Sequence, residues 1–179
     1  MRLSVGSKVS YPLQGPCLIG PVVTKIVDGA PANFHHLILL GGGGAEFFVP
    51  YGQALAKGVR RLIDKSEVPA VLERLKKPRT AGGGHRAADQ FKLCASGSAL
   101  ELAEAIASLT AMRGMNRFVA TDYGMLERAR RLLIREIAEV MGESDAAAEA
   151  RIDAALGEPH GGAVQPKKRR ARAKARSAA

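Results

Sequence analysis

The sequence predicts an α+β protein in which a small antiparallel β barrel is followed by an all-α domain and a disordered basic tail. Three observations predict this order. About five short segments with strand patterning, separated by turn residues, lie within residues 1–62. Apolar residues recur at helical spacing between residues 63 and 156. Seven Lys and Arg residues, one Glu and little that could be buried lie in residues 157–179.

The barrel is predicted from four alternating or apolar runs and from the turns between them. Pro12 ends the first run, and the residues after it are typical of a turn. The second run can bend at Gly-Pro, residues 20–21. Asp-Gly at residues 28–29 predicts a tight hairpin, and the four glycines 41–44 predict a further turn. The runs cover residues 5–11, 17–27, 34–40 and 45–50.

Five helices are predicted from apolar stripes and from residues that begin a helix. Ser98 and Glu101 fit a capping box, in which a hydroxyl and a carboxylate each accept a backbone N–H at the start of the helix. Thr121 or Asp122 is expected to cap the longest helix, and Ser144 the last one. The helices are expected at residues 66–77, through 91–94, and at 98–112, 123–141 and 144–156.

The composition excludes several protein classes. The chain has 179 residues, of which 46% are hydrophobic and 25% charged, and it lacks Trp. No segment approaches the roughly 20 apolar residues of a membrane span, and the N-terminus lacks a signal-peptide core. Cys17 and Cys94 are far apart and form no Cys-x-x-Cys motif, so neither a disulfide scaffold nor a zinc ribbon is supported. We expect a cytoplasmic protein without a membrane partner, and a core position for Cys94.

The net charge of +10 is concentrated at the two ends of the chain. Residues 1–62 hold six basic and two acidic residues, residues 63–156 fourteen of each, and residues 157–179 seven against one. A run of cations neutralises phosphates and releases counterions without reading bases. The tail therefore predicts non-specific DNA contact, with a solubilising tail as the alternative. Its DNA-binding candidates are Lys167, Lys168, Arg169, Arg170, Arg172, Lys174 and Arg176.

Catalytic chemistry is poorly supported. His35 and His36 are neighbours on a predicted strand, so their side chains leave by opposite faces and cannot share a metal ion. The glycines 41–44 lack the Gly-Lys-Ser/Thr of a phosphate loop and precede a strand rather than a helix. His85 and His160 lie in Gly-rich stretches without carboxylate or Cys neighbours. We therefore expect no catalytic residue, no metal site, no cofactor and no enzymatic activity.

Phe47 and Phe48 are a candidate binding element. They are successive residues on a strand, so one side chain is expected to face the core and the other the solvent. An outward Phe near Lys25 would be an exposed apolar anchor for a partner. The alternative is that a bulge, or the curvature of the barrel, buries both rings.

The longest predicted helix carries a row of arginines. Arg128, Arg131 and Arg135 share one face because they are three and four positions apart. Glu127 and Glu136 are interspersed with them. The row is either part of a solvated helix with intrahelical ion pairs or a basic ridge that faces DNA.

Several motifs follow one another in the order of a known family. Residues 9–15, Val-Ser-Tyr-Pro-Leu-Gln-Gly, open the β region, Phe-Val-Pro at 48–50 ends a strand, and Gly-Val-Arg at 58–60 closes the region. Ser-Gly-Ser and Leu-Ala-Glu follow within 96–104, and Leu-Glu-Arg-Ala-Arg-Arg-Leu-Leu begins the stretch 126–137. Over about residues 1–156, this order resembles the CarD/CdnL family of bacterial transcription regulators, which bind RNA polymerase.

The resemblance implies a Tudor-like β module that docks on the polymerase β subunit, and a monomeric protein. It also implies a helical domain that, in many members, touches the upstream edge of the promoter bubble and stabilises the open complex. Lys25 falls where members often place a basic residue that contacts β, and Phe48 lies on the strand that supplies the other contacts. The residues assigned to polymerase binding on this ground are Lys25, Phe47, Phe48, Val49 and Pro50.

Two stretches depart from the family pattern. Many members have Trp-x-Arg-Arg-Tyr before the second helix, and that Trp wedges into the minor groove. This chain has Gly-Gly-His-Arg-Ala at 83–87, so Arg86 alone keeps a basic position there. The family's Glu-Lys-Arg, which precedes the Met-Leu of the long helix, is replaced in this chain by Asp-Tyr-Gly at 122–124. Arg128, in contrast, matches a basic position of the family. Arg86 and Arg128 are the DNA-contact candidates of the helical domain, and the tail is expected to compensate for the missing Trp.

The sequence thus predicts a transcription regulator that bridges the RNA polymerase β subunit and DNA. Its expected parts are a β domain at 1–62, a helical domain at 63–156 and the tail at 157–179. One alternative is a linker-histone-like nucleoid protein in which the tail dominates. Another is an adaptor whose helical domain binds a further regulatory protein through the apolar stretch 99–118.

Overall fold

A computed structural model of the chain describes residues 3–41, 43–78, 87–115 and 119–157, and their side chains except those of 87–90. Arg86 and the tail residues from 158 onward lie outside the described residues. The predicted α+β class is confirmed, because one antiparallel sheet precedes a group of helices. The strands are β1 (Lys8–Tyr11), β2 (Gly15–Val27), β3 (Ala30–Leu39), β4 (Glu46–Pro50) and β5 (Arg60–Arg61), in the sheet order β4-β3-β2-β1-β5.

The sheet is built around the long hairpin of β2 and β3. The hairpin turns at Asp28 and Gly29, which both have positive φ, as the Asp-Gly pair predicts. Its register shifts between Ile19 and Val22, where the sequence predicts a bend at Gly20-Pro21. One face of the sheet encloses a small core made of Val9, Cys17, Ile19, Leu37, Val49, Ala54 and Val59.

The first strand begins later than predicted. Residues 5–7 alternate in sequence, yet they form a turn in which Ser7 N–H donates to Ser4 C=O at 3.0 Å. Gly6 has φ +83° in that turn, a conformation outside the strand region. The alternating pattern therefore predicts a first strand that is three residues too long, because it includes the turn.

In the part of the chain that the structure describes, five helices follow the sheet and enclose a second, larger core. Leu75, Ile106, Leu109, Leu133 and Ile152 are among its fully buried members. The helices are α1 (Val68–Leu75), α2 (Ala87–Ala95), α3 (Ala99–Gly114), α4 (Ala120–Met141) and α5 (Asp145–Leu156). Among the described helices, none is both long and apolar enough to cross a membrane.

Helix α3 lies at the centre of this second core. Ala99 and every residue from 102 to 109 are buried, and the helix packs against α1, α2 and α4. The apolar stretch that an adaptor would offer to a partner is therefore mostly interior. Among the described residues of this stretch, Leu100 at 48% and Met115 at 59% are the exposed large apolar ones.

The helix starts at Ser98 and Ser144 agree with prediction, although the capping box at Ser98 is incomplete, whereas α4 starts earlier than predicted. Ser98 accepts from Glu101 N–H, but its own N–H donates to Ser96 Oγ at 3.1 Å, so only half of the capping box forms. Helix α4 begins at Ala120, before the expected cap. Asp122 lies inside its first turn and accepts from Val119 N–H at 2.9 Å, so it acts from the third helical position.

A part-buried ion pair joins the sheet to the helices. Arg60 donates to both carboxylate oxygens of Glu136 at 2.6 and 2.9 Å, and to the carbonyl of Gly97. Glu136 also accepts from the backbone N–H of Ile63 at 3.2 Å, and its side chain is only 3% exposed. From the turn after β1, Leu13 packs against the helical core. The segment that leaves the sheet is therefore bonded to the C-terminal half of α4.

Candidate functional site

The two phenylalanines of β4 face opposite sides of the sheet, as strand alternation predicts. The ring of Phe47 packs beside the sheet core and meets Tyr11 edge to face, with centroids 5.5 Å apart. Phe48 is 36% exposed. The Phe47 ring of this strand therefore packs against the core, and the Phe48 ring lies on the surface.

The exposed ring of Phe48 is held between a cation and a second ring. Lys25 Nζ lies 3.0 Å from the Phe48 centroid, within cation–π distance. The imidazole of His36 is nearly parallel to the Phe48 ring, at 9°, with centroids 5.1 Å apart. We call Lys25, His36 and Phe48 the Phe48 patch. Strands β2, β3 and β4 each contribute one of these residues, so the folded sheet is needed to assemble it.

The other predicted residues of this strand have different surroundings. Val49 is 2% exposed and belongs to the sheet core, so its side chain is not available to a partner. Pro50 is partly buried and pairs with Phe34. Of the five residues assigned to polymerase binding, Lys25 and Phe48 are the ones whose side chains meet on the surface.

β4 is also an edge strand with backbone groups directed outward. Its ladder with β3 is set by Leu39 N–H to Ala45 C=O and by Tyr51 N–H to Asn33 C=O, each at 2.8 Å. Because antiparallel pairs alternate, the N–H and C=O of Phe48 point away from β3. An open edge of this kind can pair with a strand of another protein.

The arginines of α4 differ in how far their side chains are exposed. Arg128 and Arg131 are exposed, whereas Arg130 is buried and forms an ion pair with Asp153 of α5. Arg135 is partly buried. Arg128 is thus an accessible cation on the helical part of the chain, whereas the Phe48 patch lies on the sheet. Arg86 and the seven tail residues are outside the described residues, so their DNA-binding assignments stay predictions.

The histidines and cysteines have structural surroundings. His35 is buried and stacks on Tyr51, with centroids 4.8 Å apart, on the face opposite His36. Burial raises the pKa of Cys17 and of Cys94 to about 11, so both thiols stay protonated at neutral pH. No group of metal-ligating side chains comes together among the residues that the structure describes. Cys94 lies in the helical core, as predicted.

Sequence reasoning missed His36 as a member of the patch. Its adjacency to His35 indicates only that the two side chains leave by opposite faces. The partner across the strands depends on the register of β3 with β4, in which His36 pairs with Phe48. Register follows from tertiary packing and turn geometry, and no local motif marks this pair.

Two comparisons connect this geometry with known proteins. The family model described as CarD, C-terminal domain, matches residues 67–153, which include most of the helical region. The sequence is also 38% identical to the 72-residue N-terminal domain of Myxococcus xanthus CarD, whose structure was solved by NMR in solution. That likeness covers 34% of this chain and 79% of the Myxococcus chain, with a TM-score of 0.28, so it rests on the sequence identity.

The chain belongs to the CarD family. It is therefore a protein of the transcription-regulator type, and the resemblance read from the sequence motifs is confirmed. CarD proteins are non-enzymatic, in agreement with the absence of catalytic motifs from this sequence.

Proposed function

We propose that this CarD-family protein docks on the RNA polymerase β subunit through the Phe48 patch and contacts DNA through its basic tail. The proposal divides the chain into a β domain at 1–62, a helical domain at 63–156 and a tail at 157–179. It places the protein at the nucleoid as a monomer, where it bridges polymerase and promoter DNA.

The observation that carries the docking proposal is an exposed aromatic ring beside a cation on an open sheet edge. Phe48 offers apolar area that a partner can bury, and Lys25 adds a charge at its rim. Binding energy at protein interfaces concentrates on such central aromatic residues. The outward backbone of β4 adds hydrogen bonds to any strand that aligns with it.

The DNA side of the proposal rests on charge. The tail carries seven of the chain's 27 basic residues and a single acidic one. Such a segment binds phosphates with an affinity that falls steeply as salt rises. Arg86 and Arg128 of the helical domain are proposed as additional phosphate contacts, which position DNA without reading its sequence.

Binding of the full-length chain to an isolated RNA polymerase β fragment tests the docking surface. We expect Phe48→Ala to weaken binding at least about tenfold, because truncating a central aromatic anchor costs more than about 1.4 kcal/mol. Lys25→Glu is expected to weaken it as well, since the reversed charge removes the cation from the Phe48 ring. The measurement is titration calorimetry at fixed salt.

Two exposed residues outside the patch provide matched controls. Phe91→Ala removes a ring from α2 that is 49% exposed, against 36% for Phe48, and Lys57→Glu reverses an exposed Lys in the loop between β4 and β5. Both are expected to bind β like the parent chain. Equal losses in the control and patch variants, or no loss in either, would reject this surface.

Deletion of residues 160–179 tests the DNA side. We expect the truncated chain to lose its salt-sensitive DNA binding and to keep its affinity for β. The measurement is fluorescence anisotropy with duplex DNA between about 50 and 200 mM salt, a range over which phosphate contacts weaken strongly. Unchanged DNA affinity would reject the tail as the contact. Loss of DNA binding on truncation, together with no binding of the full-length chain to β, would favour the nucleoid-protein alternative.

A further inference from the structure

His36 has a well-defined place beneath the surface of the Phe48 patch. Its ring is nearly parallel to that of Phe48, and its Nε2 lies 3.1 Å from Glu46 Oε2 on the same strand as Phe48. The His36 side chain is only 15% exposed, whereas that of Glu46 is 53% exposed. The Phe48 ring therefore covers one face of the imidazole, while the Glu46 oxygen lies near Nε2 without a hydrogen bond between them.

A glycine in β2 makes room for this imidazole. A Cβ atom added at Gly20 would lie 2.9 Å from His36 Nδ1, closer than side chains tolerate. Gly20 falls where the register between β2 and β3 shifts. The irregularity therefore leaves a space over β2 that the His36 ring occupies, and any larger residue at position 20 would displace the ring.

We propose that His36 is a positioning residue for docking: it holds the Phe48 ring in the outward orientation in which a partner meets it. This inference rests on the proposed function of the patch. A surface Phe that is free to change rotamer loses that freedom on binding, and the loss reduces affinity. Stacking on a fixed, part-buried ring removes much of this cost in advance.

Three variants of the full-length chain test the role of His36 against the same RNA polymerase β fragment. His36→Ala removes the ring, and we expect affinity to fall about three- to tenfold, the range that immobilising one side chain on binding costs. His36→Phe keeps a flat ring and is expected to bind within about twofold of the parent. Gly20→Ala keeps His36 but displaces it, so we expect the same direction of loss as for His36→Ala.

An NMR measurement on Phe48 separates positioning from general loss of structure. Stacking on His36 shifts the Phe48 ring protons, and we expect this shift to be retained in His36→Phe and lost in His36→Ala and Gly20→Ala. Glu46→Gln, at an exposed site, is a milder variant that removes only the carboxylate charge that lies near Nε2. Far-ultraviolet circular dichroism of each variant checks that the sheet remains folded.

The outcomes distinguish the inference from the docking proposal. If His36→Ala and Glu46→Gln bind β like the parent while Phe48→Ala does not, the patch docks and His36 has no positioning role. If Phe48→Ala also binds like the parent, the docking surface itself is wrong, and the inference fails with it. Loss of affinity in His36→Phe equal to that in His36→Ala would also overturn the inference, because the flat ring would then be irrelevant.

Discussion

Gly58 lies where two parts of this chain that are distant in sequence approach each other closely. Its φ is +78°, and a Cβ atom there would lie 2.7 Å from Cγ of Pro12 in the turn after β1. Gly97, before α3, is close to the same place, since its added Cβ would lie 3.1 Å from Gly58 C=O. Three loops from distant parts of the sequence therefore meet at a point where only glycine fits.

The close approach at Gly58 predicts the effect of a single methyl group. Gly58→Ala is expected to lower the free energy of unfolding by more than about 2 kcal/mol, because backbone strain adds to a clash with a rigid ring. Gly6→Ala is the matched control: it has φ +83° and nothing within 4 Å of the added Cβ, so it carries the strain alone. Urea denaturation measures both, and equal losses would show that the Pro12 contact does not matter.

At the scale of the element, the start of α4 depends on Asp122. The sequence predicts a helix cap at Thr121 or Asp122, whereas Asp122 lies inside the first turn of the helix. Asp122 is buried, and it accepts from the backbone N–H of Val119 from within the first turn. The helix therefore begins earlier than a cap at position 121 or 122 would allow. A carboxylate near a helix N-terminus is stabilised there by the helix dipole.

Removal of that carboxylate is expected to destabilise the start of α4. Asp122→Ala should cost about 1 kcal/mol of unfolding free energy, the usual contribution of such a contact. Asp122→Asn keeps a side-chain oxygen that can accept from Val119 and is expected to recover most of the loss. Amide hydrogen exchange at 119–123 locates the effect, and unchanged exchange in Asp122→Ala would contradict it.

At the scale of the whole molecule, Arg60 and Glu136 connect the surface that we propose for polymerase with the helices. Both carboxylate oxygens of Glu136 accept from Arg60, and a third donor comes from Ile63. A nearly buried carboxylate with three donors is expensive to remove, because its partners lose their acceptor. The sheet and the helices are thus joined by a directional contact as well as by packing of Leu13 and Ile63.

We expect Glu136→Ala to lower the free energy of unfolding by about 3 kcal/mol, since it leaves Arg60 without its buried partner. Asp64→Ala is the control, because it breaks the exposed Arg61–Asp64 pair and should leave stability nearly unchanged. Guanidinium denaturation monitored separately in the sheet and the helices measures both the loss and the coupling. Similar stabilities for the two variants would contradict a structural role for the Glu136 contact.

Much of this protein follows from local sequence. The α+β class, the hairpin at 28–29, the Ser144 cap and the opposite directions of Phe47 and Phe48 all depend on patterns within a few residues. Period-two alternation and capping chemistry are properties of the chain itself, so no partner element is needed to predict them. The CarD family is recognisable for the same reason, because its motifs are short and ordered along the chain.

The tertiary structure decided which residues meet. His36 lies on Phe48 because the register of β3 and β4 pairs them, and it has space because Gly20 lies at an irregularity in β2. Glu136 receives Arg60 across 76 positions of sequence. Such contacts result from strand register and from the packing of helices against the sheet, which involve residues far apart in the chain and leave no local signal.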